Sequence, residues 1–284
     1  MSARHETRAN PLLGLPTAAS FRGMPLQSSS ARLTDCLLGG KDNYLVDSKL
    51  AESLEKITGG LVLQTAREQR RFTVDTLMFL ARRGIRQFVD IGCGLPSSTA
   101  PVGLLPSAMN VAVVYVDRDP VPVAHAGALL MRRTHGPSGY ALVDFVENDV
   151  LQHPHVASVL DFSRPIGVLM HDVLHEVSDA DAHRAVSSLT AQLPPGSALS
   201  ITHPTASEAH DLMHRMAGQC AQAGLPSVTF RDPNDLSQFL DGLDLLGPGV
   251  EDTAHWHNER AGSRDHPCVS YSAIGLKPLH GMAV

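Results

Sequence analysis

From Glu68 onward the apolar positions fall at three- and four-residue steps. Val74, Leu77, Met78 and Ala81 share one face, Arg82 and Arg83 close the run and Gly84 stops it, which predicts a helix. The period then changes. "RQFVDIG" follows at once as a strand, and β-rich runs recur at "VAVVYV" (111–116), "LVDFV" (142–146), "IGVLM" (166–170) and "SALSIT" (197–202). Several of these are apolar without alternation, the pattern of parallel strands covered by helices on both faces. The clearest intervening helix begins at "SDADAHRAV". Ser178 caps it, Asp181 completes a capping box, Ala182, Ala185, Val186 and Leu189 form its buried face, and Pro194-Pro195-Gly196 ends it. Another helix is expected in "SEAHDLMHRMAGQCAQAG". "CVSYSAIGL" (268–276) reads as a late strand that pairs antiparallel at the sheet edge. Strands alternating with helices give an α/β fold built on a doubly wound, mostly parallel sheet.

Residues 1–30 carry Ser, Pro, Arg and Ala without periodicity and read as a loose arm. Residues 31–84 read as a helical cover and 85–284 as the main domain. An apolar fraction of 43% and a charged fraction of 18% are those of a globular chain. No run approaches the roughly 20 apolar residues that cross a bilayer, and the first residues lack the apolar core of a secretion signal. A cytoplasmic setting with no membrane partner is expected. Cys36, Cys93, Cys220 and Cys268 stand far apart, as reduced thiols do, and form no C-x-x-C pair. The net charge of -6 gives no long-range attraction to nucleic acid. The expected partners are a small-molecule substrate and, at most, a second copy of the chain.

The chemistry concentrates at strand ends. "VDIGCGLPS" sets Asp90, Gly92, Cys93 and Gly94 where the first strand turns toward a helix, with Pro96 suited to that helix's first turn. Glycine there serves a tight turn or lets a ligand lie against the backbone. The second strand ends in "VVYVDRDP", where Asp117, with Arg118 beside it, is placed to accept the ribose hydroxyls of an adenosine cofactor. The third run leads into "VENDVL", where Asn148, Asp149 and Val150 are expected to read an adenine. A dinucleotide site requires a third glycine or alanine in G-x-G-x-x-G, and Ser97 stands there instead. S-adenosylmethionine carries a sulfonium cation and no phosphate, which suits Asp90 and a series of acidic strand ends. "LLGGKDNY" fails as a phosphate loop, because Cys36 replaces the first glycine and Asp42 the hydroxyl.

These stretches resemble the actinobacterial S-adenosyl methyltransferase family long described as a domain of unknown function. "ARLTDCLLGGKDNY", "GIRQFVDIGCGLPS", "VVYVDRDPVPVAHAGALL", "VLHEVSDAD", "LPPGSALSITHPT", "FLDGLDLLGPGV" with Trp256, and "YSAIGLKP" carry the resemblance from about residue 28 to 278. It implies a Rossmann-like class I methyltransferase with a seven-stranded sheet, an N-terminal helical cover, S-adenosylmethionine as cofactor, and a small metabolite, secondary metabolism included, as substrate. The alternatives are an NAD(P)-dependent oxidoreductase and a non-catalytic sensor of the cofactor.

Within that frame "LLGGKDNY" belongs to the cover. Lys41, Asn43 and Tyr44, with Asp42, either help close the cofactor site, Lys41 pairing with the methionine carboxylate, or hydrogen-bond the cover to the core. Three histidines are candidate general bases: His171 and His175 in "MHDVLHEV", of which His171 also borders the cofactor, and His203 in "ITHPT". Each is equally readable as a hydrogen-bonded structural residue. H-E-x-x-H is absent, and no metal is expected. Trp256 is read as core packing or as a stacking surface for substrate.

Overall fold

The computed structural model describes residues 27–96, 106, 109–129, 137–207, 209–256 and 268–279. Most of the expected arm, together with Ser97, lies outside the described residues. Three helices come first: α1 (Ser30–Leu37), α2 (Leu45–Thr58) and α3 (Leu61–Arg82). Strands and helices then alternate through β1 (Gln87–Ile91), β2 (Ala112–Asp117), α4 (Pro120–Leu129), β3 (Ser138–Leu142), α5 (Pro154–Ala157), β4 (Gly167–His171), α6 (Asp179–Gln192) and β5 (Ala198–Pro204). The chain closes with α7 (His210–Gln222), α8 (Pro233–Gln238), the two-residue strands β6 (Asp244–Leu245) and β7 (Glu251–Asp252), and β8 (Ser270–Leu276).

The sheet runs β3-β2-β1-β4-β5-β8-β6, with β7 also on β8. The first five strands pair in parallel, and β8 runs antiparallel to β5. Eight strands stand where seven were expected, because β6 and β7 each add two residues to the outer edge of β8. Strand order reverses between β1 and β4, and ligands of open α/β sheets lie in the crevice at such a reversal, beyond the carboxyl ends. Gly92 and Asp172 are the first residues past those ends.

Alternation along each strand divides the core into two layers. Val89, Ile91, Val114, Val116, Val168 and Met170 face α6 through Ala182, Val186 and Leu189. Phe88, Val113, Tyr115 and Leu169 face α3 through Leu77, Leu80 and Ala81. Trp256 belongs to the second layer. It is buried, meets Phe72 and Phe79 edge to face, and donates from Nε1 to the Gly249 carbonyl at 3.0 Å. It is therefore packing.

The third strand is displaced from its expected place. β3 ends at Leu142, and "LVDFV" begins there. Tyr140 stacks on Tyr115 across the pair, while the Asp144 carboxylate accepts the Val146 amide at 2.9 Å and turns the chain away. Residues 143–145, not Asn148 and Asp149, consequently occupy the strand's carboxyl end.

The cover is a small core of its own. Leu33 of α1, Leu50, Ala51 and Leu54 of α2, and Cys220 of α7 pack together. α3 belongs to both parts, with Thr65 and Gln69 under the cover and Phe72, Leu77 and Leu80 on the sheet. The Asp35 carboxylate organises the "GGKDNY" loop by accepting from the Asp42 amide at 3.0 Å and from Asn43 Nδ2 at 2.8 Å. No described helix is long and apolar enough to cross a membrane.

Candidate functional site

The turn after β1 is fixed by three backbone donors and one carboxylate. Gly92 and Cys93 donate to the Val116 carbonyl, at 2.7 and 3.2 Å. Gly94 donates to Asp117 Oδ2 at 3.0 Å, and Asp119 donates to Oδ1 at 2.9 Å. Asp117 thus ties the tip of β2 to the loop after β1. Gly92 has φ +70°, and a Cβ there would stand 2.0 Å from Val173 Cγ1. Gly94 has φ +60°, with no atom of the described residues within 4 Å of the corresponding position. One glycine is demanded by packing, and the other leaves open space beside the backbone. Gly92→Ala should lower stability by about 2–4 kcal/mol, from left-handed strain plus the clash. A thermal melt identical to that of the native chain would contradict this.

These groups border a cavity of about 410 Å³ that extends from the carboxyl ends of β1, β2 and β4 to the underside of the cover. Asp90, Gly92, Cys93, Gly94, Asp117, Arg118, His171 and His175 are on its wall. The other predicted positions lie elsewhere. Asn148, Asp149 and Val150 border a separate cavity of about 210 Å³ near α6, and Asp149 Oδ1 accepts the Leu151 and Gln152 amides. Lys41, Asn43 and Tyr44 are off the wall. Asn43 is bound to Asp35, and Tyr44 is 59% exposed. The fully buried His203 is also off it.

Sequence reading missed Arg70, Gln69 and Thr73 of α3, and Val143 and Phe145 after β3, all on the wall. Burial lowers the Arg70 pKa, and Asp90 and Asp35 oppose that shift. Burial pushes Asp90 up to about 6, with Arg70 opposing and Asp117 adding. Asp117 is likewise pushed up to about 6 by burial, against the two amides it accepts.

The histidines separate by their hydrogen bonds. Thr73 donates its hydroxyl to the Gln69 carbonyl at 2.9 Å, so His171 Nδ1–H donates to Thr73 Oγ1 at 2.8 Å, and Nε2 accepts from Ser200 Oγ at 2.9 Å. Both nitrogens are engaged, and burial, helped by the Arg70 charge, depresses the pKa to about 3. At His203, Arg231 Nη1 donates to Nε2 at 2.8 Å, which leaves Nδ1–H to donate to the Pro204 carbonyl at 2.7 Å. Burial takes this group to about 3 as well. His175 differs. Its Nδ1 is buried without a hydrogen bond, 3.6 Å from Asp172 Oδ1. Asp172 itself adopts φ +58° at the end of β4 and accepts from Gln69 Nε2 at 3.1 Å. A non-glycine residue held there carries strain, which clusters at functional sites.

The sequence profile of the S-adenosyl methyltransferases matches residues 25–278. The chain belongs to this family. It is an S-adenosylmethionine-dependent methyltransferase. A DUF574 family protein from Streptomyces avermitilis is 31% identical over 89% of this methyltransferase and 98% of its own chain, with a TM-score of 0.82. A methyltransferase candidate from Thermobifida fusca is also 31% identical, over 89% and 96% of the two chains, at a TM-score of 0.80. Magnesium protoporphyrin IX methyltransferase from Synechocystis, solved with S-adenosylhomocysteine, is 13% identical and covers 86% of this chain and 93% of that one. Its TM-score of 0.51 expresses likeness of fold. A search of curated proteins gave no match.

The wall of this methyltransferase suits its cofactor. Two buried carboxylates with raised pKa values suit a cation and ribose hydroxyls, the open side of Gly94 admits a ligand against the backbone, and Arg70 offers a positive charge. A pH dependence follows. Asp90 and Asp117 have native pKa values of about 6 against the ordinary 3.8, so the native state holds more protons than the unfolded chain between those values. Their contribution to stability is complete below pH 4 and is lost as pH rises through 6. A cation binds the ionised forms, so affinity for S-adenosylmethionine should weaken from pH 7 to pH 5 by about tenfold for each carboxylate that must ionise. Calorimetry across pH 5–8 checks this, and a flat profile would contradict it.

Proposed function

We propose that this enzyme methylates a small-molecule metabolite, with the donor along the carboxyl ends of β1 and β2 and the acceptor beneath the helical cover. The observation that carries the reading is the single cavity joining the Gly92–Gly94 loop to the cover. Asp117 would accept the donor's ribose hydroxyls, as acids at the second strand's end do. Val143 and Phe145, at the end of β3, would flank the adenine. Arg70, in place of the exposed Lys41, would hold the methionine carboxylate.

S-adenosylmethionine supplies a methyl group already activated on a sulfonium. The protein's task is to align the acceptor, exclude water and remove a proton. The cover performs the exclusion: Glu176 accepts from Ser30 of α1 and pairs with Arg118 beyond β2, joining cover to sheet at the cavity wall. His175 is the proton acceptor in this account, because the fixed tautomers of His171 and His203 leave no nitrogen available. Asp172 orients it. The four free thiols, Cys36, Cys93, Cys220 and Cys268, support a reducing, cytoplasmic setting.

Labelled methyl transfer to fractionated bacterial metabolites tests the proposal. His175→Gln should lower turnover by roughly 10²- to 10⁴-fold while leaving S-adenosylhomocysteine affinity within about twofold. Undiminished turnover in that variant would remove His175 from the mechanism.

A further inference from the structure

The acceptor half of the cavity has a composition unlike the donor half. Its wall comes from four helices: Leu37 of α1, Leu54 of α2, Val62 of α3, and Met213 and Met216 of α7, with Leu225 beyond. The carboxylates that border it are already engaged within the protein. Asp35 accepts from Asp42 and Asn43, Asp172 from Gln69, and Glu176 from Ser30 and Arg118. A charged ligand would lose its hydration there with no matching partner, a loss that an apolar molecule does not suffer.

Thr58, Thr65 and Gln69 also line this surface, but each is hydrogen-bonded within the protein: Thr58 donates to the Leu54 carbonyl, Thr65 accepts the Val269 amide, and Gln69 donates to Asp172 and Ser270. Thr202 and His175 also belong to the cavity wall, but Thr202 is fully buried, whereas the His175 side chain is 13% exposed and its Nδ1 has no hydrogen-bond partner among the described residues. Buried polar groups are paired in nearly all native structures, so an unbonded imidazole on a cavity wall marks where a ligand's polar group belongs. Thr202 follows Ile201 near the carboxyl end of β5, and His175 lies in the loop after β4.

We infer that the methyl acceptor is an uncharged, predominantly apolar molecule bearing a hydroxyl group, its apolar body lodged among α1, α2, α3 and α7 and its hydroxyl set against His175. This rests on the methyl-donor reading of the cavity. Methionine at two of the wall positions suits such a body, since its flexible side chain conforms to irregular shapes.

The probe is 2-naphthol, compared with 2-naphthoate and with naphthalene, titrated into the full chain saturated with S-adenosylhomocysteine. We expect 2-naphthol to bind at least about tenfold more tightly than the carboxylate, which has to shed its hydration. It should also bind more tightly than naphthalene, and His175→Ala should narrow that second difference. Leu37→Asp and Val62→Asp, each at a partly buried position and each confirmed as folded by a thermal melt, should reduce 2-naphthol affinity by at least about tenfold while S-adenosylhomocysteine affinity stays within about twofold. Equal binding of 2-naphthol and 2-naphthoate, or variants that retain both ligands at native affinity, would overturn the inference. Failure of the native chain to bind S-adenosylhomocysteine would instead overturn the donor reading, and the naphthol comparison, repeated without it, would still decide the character of the chamber.

Discussion

Asp117→Ala is expected to weaken S-adenosylhomocysteine binding by about a hundredfold or more. Two losses combine. The ligand loses a charged acceptor for its ribose hydroxyls, and hydrogen bonds to charged groups contribute roughly 1.5–3 kcal/mol each. The protein loses the peg between β1 and β2, since the Gly94 and Asp119 amides both donate to this carboxylate. Asp117→Asn keeps one acceptor oxygen and should fall between the native chain and the alanine variant. Calorimetry reads both, with a thermal melt to establish that the variants are folded. Native affinity in Asp117→Ala would place the adenosine elsewhere.

The second large effect concerns stability. Arg231 is 4% exposed and reaches four partners: it donates to the Leu174 carbonyl at 2.8 Å, the Val177 carbonyl at 3.1 Å and His203 Nε2 at 2.8 Å, and pairs with Asp179 at 2.9 Å. Those carbonyls bracket the segment that carries His175 and Glu176. Arg231→Met fills a similar volume but leaves the Val177 carbonyl and a buried histidine nitrogen unpaired and the Leu174 carbonyl with only the Val177 amide at 3.4 Å, at a cost of about 3–5 kcal/mol. The thermal midpoint should fall by roughly 6–12 °C. Arg231→Lys should recover little of this, because an ammonium lacks the planar fork that spans four acceptors. A melt unchanged in Arg231→Met would show that the segment after β4 is held by other means. Turnover should fall with stability in this variant, while S-adenosylhomocysteine affinity, which depends on the other side of the crevice, should change less.

The legibility of this chain varies with how locally each feature is encoded. β1, β2, β4 and β5 were readable because buried parallel strands are continuous apolar runs, and α6 because Ser178 accepts the Asp181 amide as an N-cap, although the Asp181 carboxylate takes the Ser178 hydroxyl and closes no capping box. β3 was misplaced because "LVDFV" is the more apolar run, whereas the actual strand, "SGYAL", depends on Tyr140 stacking on Tyr115, a contact across strands. That error carried Asn148 and Asp149 to a strand end they do not occupy. The two-residue strands β6 and β7 have no periodicity to read.

The same distinction applies to the site. The glycine turn and Asp117 announce themselves in sequence, since turn chemistry and strand ends are local. Arg70 does not. It stands among Arg67 and Arg71 in one helical run, and only the packing of α3 turns it toward the cavity while Arg71 pairs with Glu68 at 2.8 Å. The histidines were likewise indistinguishable until Thr73, Ser200 and Arg231 were brought beside them from other elements. Conversely, the "GGKDNY" loop looked like ligand chemistry, and its Asn43 and Asp42 amide serve the Asp35 carboxylate.

The most direct measurement is a crystal structure of the full chain with S-adenosylhomocysteine. The account predicts the nucleoside along the carboxyl ends of β1 and β2, its ribose on Asp117, its backbone neighbour Gly94 and its carboxylate on Arg70. Nucleoside density away from this crevice, or an Asp117 carboxylate with no contact to the ribose, would contradict it.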